Sequence, residues 1–215
     1  MPFSGFSEDD FSAMRIDGLD PRMTAIKEQI QPKFSQLAEE LLTDFFARSA
    51  VPFYAHIARH ARRTVNPPDS TWVAFSCNKR SYKKFPHFQF GIWPTHLFFW
   101  LALIEEYPAK VFFADYLLEH EKQILSRIPD RFSWSPDHME PSAYPQPELK
   151  SGGLTDLFQR LKSVKKAEIL CGFTISKEQA ARMDGEAMIS QIKQGIGNLW
   201  PLYEAALQTM KQTRL

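Results

Sequence analysis

The segment PHFQFGIWPTHLFFWLALI, residues 86–104, carries the clearest structural pattern in this part of the chain. Between residues 87 and 93 every second side chain is Phe or Ile, which predicts a strand with one buried face. Residues 94–95 predict a turn. Residues 97–104 are almost wholly apolar, as in a central strand covered on both faces. The segment therefore predicts an antiparallel hairpin at the centre of a sheet.

The flanking segments extend this sheet. Residues 72–77 predict a strand, and residues 53–59 suit one, although a helix over 53–63 fits nearly as well. Within residues 167–175 every second side chain is apolar: Ala167, Ile169, Cys171, Phe173 and Ile175. Because sequential strands with short connections usually pair as neighbours, we expect a mostly antiparallel sheet of about five strands. It consists of a meander near 53–104 and one strand near 167–175.

Helices are expected to pack on this sheet from both ends of the chain. An apolar stripe predicts a helix at 33–48, separated from an earlier helix by a break at Pro32. Further helices are predicted at 109–127 and near 188–210, and the proline-rich segment 136–147 is predicted to be a surface loop. Without repeats or linkers, residues 1–215 predict a single α+β domain.

The amino-acid composition restricts the classes of protein to which the chain can belong. The chain has 215 residues, 44% of them hydrophobic, and a formal net charge of +1. Its two cysteines, Cys77 and Cys171, form neither a disulfide framework nor a zinc motif, which favours a reducing cytoplasm. No apolar run approaches the roughly 20 residues of a membrane helix. We expect a cytoplasmic protein with no membrane partner, no metal and no cofactor; the oligomeric state is left open.

Positive charge is concentrated between His56 and Lys84. This window holds seven Lys or Arg residues and one acid, Asp69, and four of the six histidines lie between residues 56 and 96. A basic, aromatic stretch in a nearly neutral chain predicts a site for an anion.

Three motifs in the same region resemble those of the bacterial YktB-like proteins, a family of unknown function. They are HARRTVNPP at 60–68, TWVAFSCNKRSYK at 71–83 and PHFQFGIWPTH at 86–96. The resemblance runs nearly end to end. It implies a single α+β domain and brings no known activity, cofactor or catalytic residue.

The leading hypothesis is a protein that binds a phosphate-bearing ligand, either a nucleotide or a nucleic acid. Guanidinium and ammonium groups would neutralise phosphate, and aromatic rings would stack on bases. The candidate ligand-binding residues are Arg62, Arg63, Asn66, Trp72, Asn78, Lys79, Arg80, Tyr82, Lys83, His87, Gln89, Trp93 and His96.

Two other classes of protein stay open, and the sequence does not decide whether the protein is an enzyme. An enzyme acting on a phosphorylated or carboxylated small molecule would use His56, His60 or His87 as an acid or base. An interaction protein without a catalytic site would expose a large apolar patch. The charge cluster also fits a solvated rim that serves solubility alone.

Overall fold

A seven-stranded open sheet, antiparallel at every pairing, organises residues 3–212, which are the residues that the computed structural model describes. The strand order is β1-β2-β3-β4-β7-β5-β6. The bounds are β1 Tyr54–Ile57, β2 Thr71–Ser76, β3 His87–Ile92, β4 His96–Leu103, β5 Ser133–Ser135, β6 Tyr144–Pro145 and β7 Ile169–Ser176. The α+β class and the meander are confirmed. The sheet has seven strands and not the predicted five, because β5 and β6 are too short to show periodicity in the sequence.

The helices come from both ends of the chain and from the segments between β4 and β7. Their bounds are α1 Glu8–Ala13, α2 Leu19–Ala25, α3 Gln31–Ser49, α4 Lys110–Glu119, α5 Glu121–Arg127, α6 Gln146–Leu149, α7 Gly153–Ser163, α8 Lys177–Ala180 and α9 Gly185–Gln212. None of the helices within 3–212 is long and apolar enough to cross a membrane.

Three predicted boundaries were wrong. A π-helical turn, Ile26–Ile30, joins α2 to α3, so no break occurs at Pro32. Pro32 lies in the first turn of α3, where a missing N–H donor is tolerated. The predicted 109–127 helix divides at His120 into α4 and α5. The proline-rich segment 136–147 contains β6 and the start of α6, so it is not wholly a loop.

The two faces of the sheet are covered differently. One face packs against helices, with Phe45 of α3 and Trp200 of α9 both in ring contact with Phe88 of β3. The other face carries a second apolar cluster that includes Trp100. Tyr82, from the connection between β2 and β3, packs on that cluster. Loops, not helices, therefore cover the second face and place side chains there.

Candidate functional site

A groove of about 1160 Å³ runs along β1, the edge strand of the sheet. It is lined by α3, by β1 and by the segment that follows β2. Four exposed cations line it, and no Asp or Glu does: Lys27, Arg59, Lys79 and Arg80. Within residues 3–212, none of the four makes an ion pair. We call this surface the β1 groove, and its charge is not neutralised locally.

The turn after β2 holds Lys79 and Arg80 at the groove. The Asn78 side-chain oxygen accepts the backbone N–H groups of Arg80 and Ser81, at 2.9 and 3.1 Å. The His56 ring donates to the Asn78 carbonyl at 3.0 Å and so ties the turn to β1. Such a side-chain-closed turn is a common use of Asn. Asn78 and His56 thus orient the two cations.

The opposite wall positions Arg59. The Gln31 side chain, at the start of α3, donates to the Ala58 carbonyl at 3.2 Å. The Ala58 N–H donates to the Trp72 carbonyl at 2.9 Å, one residue beyond the end of β1. The chain then turns at His60, whose φ is +50°. Arg59 is therefore held between the edge strand and a tight turn.

Several predicted ligand-binding residues lie outside the groove. The Arg63 guanidinium donates to the carbonyls of Asn66 and Pro67, so it closes its own loop. Lys83 pairs with Glu106 at 3.1 Å. Arg62 is exposed but does not line the groove.

Trp93 and His96 lie at the other end of the β3–β4 hairpin. Their rings stack at 6.4 Å. Six residues of extended chain separate Trp93 from His87, a span of about 20 Å. These two residues are not brought together with the cations of the β1 groove.

Four predicted residues meet on the second face of the sheet as a packed layer. Trp72 Nε1–H donates to the Tyr82 hydroxyl at 3.1 Å, and the Tyr82 ring lies 4.7 Å from the His87 ring. His87 Nδ1–H donates to the Phe85 carbonyl at 2.8 Å, and Nε2 accepts from the Gln89 amide at 2.9 Å. Burial lowers the pKa of His87 to about 3. His87 is a neutral, buried side chain with both ring nitrogens bonded.

The three candidate acid–base histidines do not form one site within the described part of the chain. His56 bonds to the Asn78 carbonyl, His60 to the Thr71 hydroxyl at 3.1 Å, and no hydrogen bond joins any two of the three rings. Burial, and then the charge of Arg63, lower the pKa of His60 to about 4. Each ring has its own structural partner.

A second polar cluster, which the sequence did not predict, lies where β4 ends and β7 begins. Glu168 accepts the His138 ring Nδ1–H at 2.6 Å, and the backbone N–H groups of His138 and Glu105, each at 3.0 Å. Glu168 as a whole is only 7% exposed to solvent. Burial raises the pKa of Glu168, but these hydrogen bonds and the charge of His138 outweigh it and lower the pKa overall. The carboxylate therefore stays ionised inside the protein.

Asp137 lies beside this pair. Ligand-type atoms of Asp137, His138 and Glu168 all lie within 4.8 Å of one another. We call these three residues the Glu168 corner. The sequence contains one indication of this cluster, since Glu168 is the only charged residue in the largely apolar segment 167–175.

The sheet is antiparallel, with helices on one face, loops on the other and a basic groove at its edge. This architecture places the chain in the α+β class. The chain belongs to the family described as a domain of unknown function, DUF1054, whose model matches residues 6–203. This family assignment supports the resemblance found in the sequence.

Relatives of the chain carry the family name UPF0637. A protein of Bacillus licheniformis is 46% identical over 198 residues, which is 92% of this chain and 94% of that protein. A protein of Bacillus velezensis is 43% identical over the same length and coverage. One of Bacillus cytotoxicus is 44% identical over 203 residues, 94% of this chain and 98% of that protein. These names describe no activity.

Proposed function

We propose that the β1 groove binds a phosphate-bearing ligand, and that this ligand is a single strand of nucleic acid. One observation carries the proposal: four cations without ion-pair partners in the described chain face one groove that no carboxylate lines. Ammonium and guanidinium groups in such a setting attract phosphate strongly, because no neighbouring acid neutralises them.

The size of the groove favours a strand over a mononucleotide. Pockets for small ligands typically enclose about 300–1,000 Å³ and bury most of the ligand. The β1 groove, at about 1160 Å³, is larger than that range. Positively charged grooves of this kind follow a sugar-phosphate backbone in single-strand binders.

Aromatic side chains are present for base stacking. Tyr54 and Tyr82 line the groove, and both are half-buried. Stacking of a base on an aromatic ring contributes about 1–3 kcal/mol. The Trp72 indole N–H donates to the Tyr82 hydroxyl, so the Tyr82 ring is held in place. Of the residues predicted from sequence, the proposal retains Lys79, Arg80 and Tyr82 as ligand contacts.

The competing explanation is protection of an edge strand. Lys and Arg side chains on an exposed edge discourage pairing with another chain. That role needs no ligand, and it predicts no affinity for polyanions beyond the weak attraction of any cationic surface.

Fluorescence anisotropy with a labelled 12-nucleotide oligothymidylate separates these explanations. We expect the full chain to bind, and the Lys79→Glu/Arg80→Glu double variant to bind at least about tenfold more weakly, since two phosphate contacts become repulsive. The matched control is Lys122→Glu/Lys166→Glu, which makes the same change in net charge at exposed lysines outside the groove.

If both double variants bound the oligonucleotide equally weakly, the loss of affinity would be due to net charge alone. That result would contradict the proposal. Adenosine monophosphate, ATP and a double-stranded oligonucleotide serve as competitors in the same assay. If the mononucleotides displaced the oligonucleotide at concentrations similar to its own, the ligand would be a nucleotide and not a single strand.

A further inference from the structure

We propose that the Glu168 corner is a binding site for a divalent metal ion of the zinc class. This inference is independent of the function proposed for the β1 groove. Asp137, His138 and Glu168 offer one imidazole nitrogen and two carboxylate oxygens, all within 4.8 Å of one another. Mixed imidazole and carboxylate ligands suit zinc and its first-row neighbours.

The carboxylate of Glu168 is already prepared to receive a cation. It is buried and accepts three N–H groups, and two of these are backbone donors that fix its position. A buried anion whose geometry is fixed in this way needs little rearrangement when a cation binds.

The His138 ring is also fixed. Its Nδ1 lies 2.6 Å from Glu168 Oε2, which is the one hydrogen bond of the ring within residues 3–212. A metal would take the place of the proton between Nδ1 and Oε2, and the bound ring would carry a proton on Nε2 alone. Two ligand atoms bound to one zinc lie about 3.3 Å apart, so the pair would open by under about 1 Å.

The third ligand lies on the same short segment as His138. Asp137 Oδ1 accepts the Met139 N–H at 2.8 Å, which leaves the other carboxylate oxygen available. Water would complete the coordination, as at zinc sites with three protein ligands. The site would also join the covering segment 136–143 to the sheet through β7.

The alternative is that Glu168 only anchors this segment. Its three hydrogen bonds already satisfy the carboxylate without a metal. The two explanations differ in one respect that is directly measurable, which is affinity for a transition metal.

The experiment is a titration of the metal-free full chain with Co²⁺, followed by visible d–d absorption, and with Zn²⁺, followed by calorimetry. We expect one equivalent to bind. His138→Ala and Glu168→Gln should weaken binding by at least about 100-fold, because losing a direct ligand costs more than the roughly 10–100-fold lost with an outer-shell partner. Asp137→Asn keeps an acceptor for Met139 and should weaken binding in the same direction.

His96→Ala is the control, because it removes another half-buried histidine far from the corner, and it should bind like the wild type. Circular dichroism confirms that each variant is folded before titration. Failure of the wild-type chain to bind either metal at millimolar concentration would overturn the proposal. Equal binding by the wild type, His138→Ala and Asp137→Asn would overturn it as well.

Discussion

The β1 groove and the Glu168 corner lie on one sheet, but they differ in charge, in burial and in the origin of their contacts. The groove gathers exposed cations that have no charged partner in the described chain. The corner holds a carboxylate that is 7% exposed and fully hydrogen-bonded. We therefore expect changes to the groove side chains to cost little stability, and changes to the corner to cost more. That contrast separates an exposed cationic surface, suited to a polyanion, from a buried anionic cluster that supports the fold and offers ligands to a cation.

The largest expected effect on stability is at the corner. Glu168→Ala removes the acceptor of three hydrogen bonds and leaves two backbone N–H groups without a partner. We expect a loss of about 2–3 kcal/mol in the free energy of unfolding, measured by urea denaturation. Glu106→Ala is the control: this glutamate is exposed and, among residues 3–212, forms an ion pair only with Lys83, so its loss should cost under about 1 kcal/mol. Equal losses of unfolding free energy in Glu168→Ala and Glu106→Ala would mean that the corner contributes no more to stability than an exposed ion pair does.

An effect that is smaller per pH unit than the loss at the corner is expected from His87, in the packed layer between the two regions. Burial is the main cause of its lowered pKa, about 3; the Phe85 carbonyl and the charge of Glu168 oppose the shift, and His138 and His56 add to it. Between pH 6.5 and 3 the unfolded chain takes up a proton that the folded chain does not. Falling pH therefore destabilises the fold by about 1.4 kcal/mol per pH unit through this residue.

The variant His87→Gln lacks this proton uptake. The slope of unfolding free energy against pH should therefore be shallower than in the wild type by about 1.4 kcal/mol per unit between pH 6 and 4. Both chains are measured in the same buffers by urea denaturation. An unchanged slope would mean that His87 is accessible to protons in the folded state.

The smallest effect on stability is expected in the groove. The Lys79→Ala/Arg80→Ala variant removes exposed side chains that make no ion pair in the described structure. The free energy of unfolding should change by under about 0.5 kcal/mol, because surface substitutions away from hydrogen-bond networks rarely do more. Urea denaturation measures this, with Lys122→Ala as the control. A loss above 1 kcal/mol would mean that these cations support the fold.

Local patterns predicted much of the sheet. The alternation at 87–93, followed by the apolar run at 97–104, placed β3 and β4 next to each other, and the structure pairs His87 with Ala102 and Phe90 with Phe99. Such patterns depend on near neighbours in the chain. The division of the 109–127 helix at His120 was missed, because no Gly or Pro marks it.

The candidate site was predicted only where its residues are close in sequence. Lys79, Arg80 and Tyr82 belong to one basic run and were identified together. Lys27 reaches the groove from the π-helical turn, far from β1 in sequence, and no local pattern connects the two. The Glu168 corner joins Glu168 to His138, which lies 30 positions away in sequence, and to the adjacent Asp137. Such clusters arise from strand order, which composition and periodicity do not specify.

The salt dependence of oligothymidylate binding tests the central claim most directly. If four cations in the β1 groove neutralise phosphates, the logarithm of the association constant should fall against the logarithm of salt concentration with a slope of about −2.8. The Lys79→Glu/Arg80→Glu variant should have a slope about 1.4 smaller in magnitude. A flat dependence, or the same slope in both chains, would contradict the account.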